Sequence, residues 1–139
     1  MLPLNSKIIL ADDSRAIRTL VRQQLGHLGY NDILDFENGR DVLAALEQLT
    51  RKGEKVDFFI VDWRMPEMDG LELLRALLQD EKYKKTPYLM IAAEREIEFV
   101  LKAVELGVSD YIVKPFDENI LSNKIQSVWT KWLEENGKG

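Results

Sequence analysis

Short apolar runs alternate along the chain with longer segments in which apolar residues recur every three or four positions. The runs have the length of β-strands, and three of the five are almost wholly apolar, which is typical of strands covered on both faces. They occupy residues 8–11, 33–36, 58–61, 88–91 and 111–113. The pattern therefore predicts five strands, each followed by a helix.

Each segment after a run carries an apolar stripe with helical spacing. Gly29 and Gly107 are expected to end the first and fourth helices, while Asp69 and Asp117 are expected to cap the third and fifth. The stripes are Ile17, Leu20, Val21, Leu25 and Leu28; Val42, Leu43, Leu46 and Leu49; Leu71, Leu74, Leu77 and Leu78; Ile97, Val100, Leu101 and Val104; and Ile120, Leu121, Ile125, Val128 and Trp132.

Alternating strands and helices predict a single α/β domain over residues 1–139, with a parallel sheet and a core from about residue 7 to residue 133. We expect residues 134–139 to form a frayed tail. The charged stretches 82–85 and 94–96 are expected to be solvated faces, and Trp63 is expected to pack at the rim of the sheet.

Composition narrows the function classes. The 139 residues are 45% hydrophobic, which suits one compact core, and 24 acidic against 19 basic residues leave a net charge of −5 without a basic stripe for nucleic acid. Cysteine is absent, the first residues do not resemble a signal peptide, and no apolar stretch approaches the length of a membrane span. We therefore expect a cytoplasmic protein with no nucleic-acid or membrane partner.

Charged residues stand where three of the predicted strands end. Asp12 and Asp13 follow the first run, Asp62 the third and Lys114 the fifth. Open α/β sheets bind ligands beyond the carboxyl ends of their strands, so these side chains are expected to converge. Three carboxylates and one ammonium suggest a site that binds Mg²⁺ and accepts a phosphoryl group on Asp62. A carboxylate is ordinarily ionised at neutral pH, so no general base is expected.

Three separated segments carry a family resemblance: Asp12-Asp13, residues 62–70 (DWRMPEMDG) and residues 111–116 (YIVKPF). Together they resemble the receiver domains of two-component response regulators, with the single-domain chemotaxis regulators as the nearest likeness. The resemblance implies a flavodoxin-like (βα)5 fold, a doubly wound parallel sheet with strand order 2-1-3-4-5. The hydrophobic period alone does not select that order.

The resemblance also implies a role for each charged residue. Asp62 would be the phosphoacceptor, receiving its phosphoryl group from a phosphohistidine on a sensor histidine kinase. Asp13 and Asp62 would bind Mg²⁺ directly, Asp12 largely through water, and the backbone carbonyl of Arg64 would add a ligand. Lys114 would pair with the phosphoryl oxygens.

The chain departs from the family pattern at Ala92, where the family has a Ser or Thr whose hydroxyl binds the phosphoryl group. Tyr111 matches the switch aromatic, and a target protein would bind the face formed by helix 4, strand 5 and helix 5. Arg64 and Glu94 occupy variable positions at the rim of the site. We expect them to shape the path of water to the acyl phosphate, and they could pair with each other.

Two other functions stay open at this point. The missing hydroxyl at Ala92 leaves room for a phosphate-independent pseudo-receiver adaptor, or for a phosphate sink. The last alternative is an aspartyl-phosphate phosphatase, whose nucleophile would stand in an Asp-x-Asp arrangement at the end of strand one. The chain has Asp12-Asp13-Ser14 there, which favours a signalling domain without enzyme activity.

Overall fold

The structure, a computed structural model, describes residues 1–137 and contains one five-stranded parallel sheet. The strand order β2-β1-β3-β4-β5 confirms the order implied by the family resemblance. The connections reverse direction between β1 and β3, which is the switch point at which such sheets bind ligands. The strands are β1 (Ile8–Ala11), β2 (Ile33–Phe36), β3 (Phe58–Asp62), β4 (Tyr88–Ala93) and β5 (Asp110–Lys114).

A helix follows each strand, as the periodicity predicts: α1 (Arg15–His27), α2 (Gly39–Arg51), α3 (Gly70–Leu78), α4 (Ile97–Leu106) and α5 (Glu118–Trp132). The Asp69 carboxylate accepts the Glu72 N–H and the Asp117 carboxylate accepts the Ile120 N–H, so both predicted caps are confirmed. Gly107 ends α4 in the left-handed region, at φ 110°.

Alternating side chains of the central strands build two cores, one on each face of the sheet. Phe59, Val61 and Met90 belong to the core that α2, α3 and α4 cover. Ile60 and Leu89 belong to the core that α1 and α5 cover. Because both faces are covered, β1 and β3 are buried along their whole length, and their carboxyl ends form the floor of a polar site.

The predicted apolar stripes are wrong at several positions. On α4 the buried residues are Val100 and Ala103, whereas Leu101 and Val104 are exposed. The prediction was based on the large apolar side chains. A helix that packs closely on a sheet, however, can turn a small residue such as Ala103 toward the sheet. Leu20 of α1 is likewise exposed.

Two further expectations are wrong. Tyr83, placed in a solvated stretch, is buried, and its hydroxyl accepts the Val56 N–H at 3.3 Å. The expected frayed tail continues α5 instead, as a π-helical turn over Leu133–Gly137 in which Asn136 Nδ2 donates to the Trp132 carbonyl. Residues 138 and 139 of that tail lie outside the described residues. Within residues 1–137, no helix combines the length and hydropathy needed to cross a membrane.

Gly70 allows α3 to start directly against the end of β3. A Cβ at this position would lie 2.5 Å from the Asp62 carbonyl oxygen and 3.2 Å from Trp63 Cα. We expect Gly70→Ala to lower the free energy of unfolding by about 1–3 kcal/mol, because backbone atoms must move to admit the methyl group. Urea denaturation measures this change.

Gly26→Ala is the matched control, since a Cβ there meets nothing within 4 Å inside α1. We expect it to stabilise the protein by about 0.5–1 kcal/mol. Equal losses in the two variants would contradict the close contact between Gly70 and the Asp62 backbone.

Candidate functional site

The strand ends bring the predicted charged residues together. Asp62 is the last residue of β3, Lys114 the last of β5, and Asp12 follows the last residue of β1. One carboxylate oxygen from each of Asp12, Asp13 and Asp62 lies within 4.8 Å of the others. The convergence expected from the three strand ends is therefore present.

Asp12 is held by backbone contacts at the start of α1. Its side chain is fully buried, and Oδ1 accepts the Ser14 N–H at 2.8 Å. Arg18 Nη1 donates to the Asp12 carbonyl oxygen at 2.7 Å. The α1 cap itself is Ser14, whose hydroxyl accepts the Ile17 N–H. Asp12 and exposed Asp13 are thus not used as the helix cap and remain available to the site.

The Asp62 carboxylate lies close to the Asp12 carboxylate and to the Lys114 ammonium. Its residue is 3% exposed, and Oδ1 is 3.1 Å from Lys114 Nζ, which is also 3.8 Å from Asp12 Oδ2. Apart from the Lys114 ammonium, no group within residues 1–137 donates a hydrogen bond to Asp62 Oδ1 or Asp12 Oδ2. These two buried carboxylate oxygens therefore have fewer donors than such groups normally have.

Burial is the main cause that raises the pKa of Asp62 to about 7, and the charge of Asp12 adds to it, while Lys114 opposes the rise. The pKa of Asp12 is also raised, chiefly by burial. Asp62 is therefore protonated more readily near neutral pH than the ordinary carboxylate expected from the sequence. Since an unfolded carboxyl has a pKa near 3.8, Asp62 makes the metal-free fold less stable as pH rises from about 4 to 7.

Lys114 keeps its charge in this site. Burial works to lower its pKa, but the carboxylates of Asp62 and Asp12 outweigh that effect and raise the pKa above 10.5. The ammonium can therefore neutralise an anion placed beside Asp62.

The donor set fits Mg²⁺. The cation prefers hard oxygen ligands, and the site offers three carboxylates that each have one oxygen within 4.8 Å of the others. A divalent charge also removes the repulsion that raises the pKa of Asp62. The backbone carbonyl of Arg64, two residues beyond Asp62, lies in the loop between β3 and α3.

The switch positions differ in their surroundings. Ala92 is fully buried near the end of β4 and offers no hydroxyl. Tyr111 is half-buried in β5, and Lys124 Nζ lies 5.5 Å from its ring centroid while also pairing with Asp110. Lys124 thus holds the Tyr111 ring by a cation–π contact.

The expected pairing of Arg64 with Glu94 is wrong. Arg64 Nε donates to Glu96 Oε2 at 2.9 Å, and Glu94 is exposed. Glu96 is only 5% exposed, and its Oε1 accepts the Ala93 N–H at 2.8 Å. Residues 94–96 form a 3₁₀ turn in which the Glu96 side chain folds back to the amide of Ala93, the residue before the turn, so the prediction of a solvated face is wrong at Glu96. A Glu three residues after a helix start can reach back in this way, but Ala93 is not the Ser or Thr that marks such a start in a sequence.

Trp63 links the site to α4. It is 9% exposed, and its ring stacks on Phe99 with centroids 5.7 Å apart and planes at 23°. The expected packing role at the rim is confirmed. Phe99 lies in the first turn of α4, so the residue after Asp62 is in direct contact with that helix.

Comparisons with known proteins agree with this fold and with the arrangement of the strand-end residues. The family model described as the response regulator receiver domain matches residues 8–126. A chemotaxis protein CheY homolog of Campylobacter jejuni is 38% identical over 122 residues, covering 88% of this chain and 91% of the relative. Chemotaxis protein CheY-3 of Vibrio cholerae is 39% identical over 127 residues, covering 91% and 94%.

A solved structure shows the same fold. Chemotaxis response regulator CheY4 of Vibrio cholerae matches with a TM-score of 0.77 and 31% identity, over 89% of this chain and 98% of that one. The chain belongs to the family of response regulator receiver domains. Membership supports a phosphoacceptor role in two-component signalling.

We expect Mg²⁺ to bind roughly tenfold more weakly at pH 6 than at pH 8, because the cation competes with a proton on Asp62, whose pKa is about 7. Calorimetric titration at the two pH values measures the ratio. Asp13→Asn should weaken binding at both values and narrow the ratio, because the charge of Asp13 also raises the pKa of Asp62. Equal affinities for the parent protein would mean that Asp62 is already ionised at pH 6.

Proposed function

We propose that this chain is a phosphoacceptor signalling module that works in the cytoplasm, with residues 7–133 as its receiver unit. In this proposal Asp62 accepts the phosphoryl group of a phosphohistidine on a sensor histidine kinase, and phosphorylation changes the binding of a target protein. The observation that carries the proposal is the placement of Asp62, buried at a strand end between Asp12 and Lys114, which lies 3.1 Å away.

The reaction needs a free carboxylate and neutralised charge. An Asp62 oxygen forms the new bond to phosphorus, the bond from phosphorus to the imidazole nitrogen breaks, and that nitrogen keeps the electron pair. Lys114 stabilises the phosphoryl oxygens. Asp12, Asp13, Asp62 and the Arg64 carbonyl would hold Mg²⁺, which supplies positive charge to the transferred group when bound. Because Asp62 has a pKa of about 7, it must lose its proton before it attacks.

Ala92 makes the response atypical in this proposal. The buried methyl group cannot donate a hydrogen bond to the phosphoryl oxygens, so the usual pull on the loop after β4 is missing. The conformational response is then weak, or it is driven by another residue. The target surface proposed is the face of α4, β5 and α5, where Tyr111 and the exposed Leu101 and Val104 lie.

The absence of a hydroxyl at Ala92 also favours a second candidate function, that of a phosphate-independent adaptor or a phosphate sink. A sink would take up phosphate without any change in α4, whereas an adaptor would not take up phosphate at all. A phosphatase is the weakest alternative, since its nucleophile would stand at the end of strand one, and Asp12 accepts the Ser14 N–H there instead.

Acetyl phosphate with Mg²⁺ should add one phosphoryl group to the parent chain and none to Asp62→Asn, because only Asp62 is placed between the acids and Lys114. Intact-mass analysis measures the addition. Asp41→Asn is a control, since this acid lies on α2 outside the acidic cluster. An unmodified parent with an intact fold would favour the adaptor, and a labelled Asp62→Asn would place the acceptor elsewhere.

Ala92→Thr should enlarge the phosphate-dependent change in hydrogen exchange across α4, because its hydroxyl adds a hydrogen bond to a charged group that contributes roughly 1.5–3 kcal/mol. Ala92→Val adds the same volume without the hydroxyl and controls for crowding at this buried position. If the threonine variant responds to phosphate as the parent does, the missing hydroxyl does not limit the response.

A further inference from the structure

The ion pair between Arg64 and Glu96 has no part in the transfer chemistry, yet it joins the loop after Asp62 to the turn before α4. Arg64 Nε and Glu96 Oε2 are 2.9 Å apart, and the glutamate is almost fully buried. The other Glu96 oxygen holds the Ala93 N–H at the end of β4. Both ends of the pair therefore stand beside residues that a receiver uses: Asp62 on one side and Ala92 on the other.

Phosphorylation changes the charge that this pair meets. An acyl phosphate carries about two negative charges where the Asp62 carboxylate carries one. Lys114 already pairs with Asp62, and Arg18 is held by the Asp12 carbonyl and by Asp35 at 3.4 Å. The additional charge therefore favours another cation that can move.

Arg64 is that cation. Its side chain is 69% exposed, it follows Asp62 by two residues, and its terminal nitrogens make no ion pair or hydrogen bond within residues 1–137. A guanidinium can donate two parallel hydrogen bonds to a phosphate, a geometry that suits it better than a single bond through Nε to a carboxylate.

We propose that Arg64 and Glu96 form a phosphate-operated latch, in which the phosphoryl group on Asp62 takes the Arg64 guanidinium away from Glu96 and releases the turn Glu94–Glu96. The latch rests on the proposed phosphoacceptor role of Asp62. It assigns to Arg64 the contact with the phosphoryl group that a hydroxyl at Ala92 would otherwise make.

The release follows from the burial of Glu96. A buried carboxylate that loses its cation is strongly destabilised where it is, so the side chain must move into water. That movement weakens the hydrogen bond that holds the Ala93 amide. Because α4 begins at Ile97 and Phe99 stacks on Trp63, the motion reaches the first turn of that helix.

Competition for one guanidinium predicts a definite sign of coupling. Beryllofluoride with Mg²⁺ serves as the probe, because it adds to an aspartate as a stable mimic of the acyl phosphate. Glu96→Gln keeps an acceptor for the Ala93 amide but removes the charge that retains Arg64, so we expect it to bind the probe about tenfold more tightly than the parent. Arg64→Gln should bind it about tenfold more weakly.

The double variant Arg64→Gln with Glu96→Gln isolates the latch from effects of each residue alone. In the Arg64→Gln background the glutamate substitution should leave the affinity unchanged, since there is no guanidinium to release. Glu98→Gln is the matched control, because it removes the same charge from an exposed residue that lies two positions after Glu96, within α4.

Amide hydrogen exchange of residues 93–99 measures directly whether the turn is released, which the affinity for the probe does not. The probe should speed exchange of this segment in the parent, and the increase should disappear in Arg64→Gln. Tighter binding by Glu96→Gln that persists without Arg64, or weaker binding by Glu96→Gln in the parent background, would overturn the latch.

The two proposals fail in different ways. A parent that binds beryllofluoride and takes up phosphate, while Glu96→Gln binds the probe as the parent does, refutes the latch and leaves the phosphoacceptor role standing. A folded parent that neither binds the probe nor takes up phosphate on Asp62 refutes both.

Discussion

The burial of two like charges at one edge of the sheet is the constraint on which the rest of the site depends. Asp12 and Asp62 are almost wholly removed from water, and each has one oxygen that pairs with the Lys114 ammonium. Burial and mutual repulsion raise the pKa of Asp62 to about 7. Such a site stores unfavourable free energy that a bound divalent cation would release.

The fold maintains this arrangement because each acid is fixed by backbone geometry. The Ser14 amide and Arg18 hold Asp12, and the close approach of Gly70 to the Asp62 carbonyl fixes the end of β3. The capping box of α3 starts at Asp69, directly before that glycine. Movement of these acids away from one another would require the sheet or the starts of α1 and α3 to move. The repulsion is therefore opposed by the whole α/β core, and local rearrangement cannot relieve it.

Much of this could be predicted from sequence, because strand ends in a parallel sheet meet at one edge whatever the details of packing. Asp12, Asp62 and Lys114 were placed by that rule alone, whereas the strand order needed the family resemblance. Glu96 and Ala103 were missed for different reasons. A charged residue in a charged stretch is ordinarily solvated, and its burial depends on a distant partner, Arg64, that no local pattern reveals. Ala103 carries too little apolar surface to stand out in a periodicity count.

The two sides of the site also differ in how freely their side chains can move. On the side of β1, Asp12 is bound to α1 by a short hydrogen bond to the Ser14 amide and is fully buried. On the side of β4, the contacts pass through Arg64, a long and largely exposed side chain, to a short 3₁₀ turn. Negative charge added at Asp62 would therefore face the fixed Asp12 on the β1 side and the movable guanidinium of Arg64 on the β4 side. If Asp62 accepts a phosphoryl group as proposed, the added charge acts first on the contacts that are able to change, and the response is directed toward α4 without the usual hydroxyl.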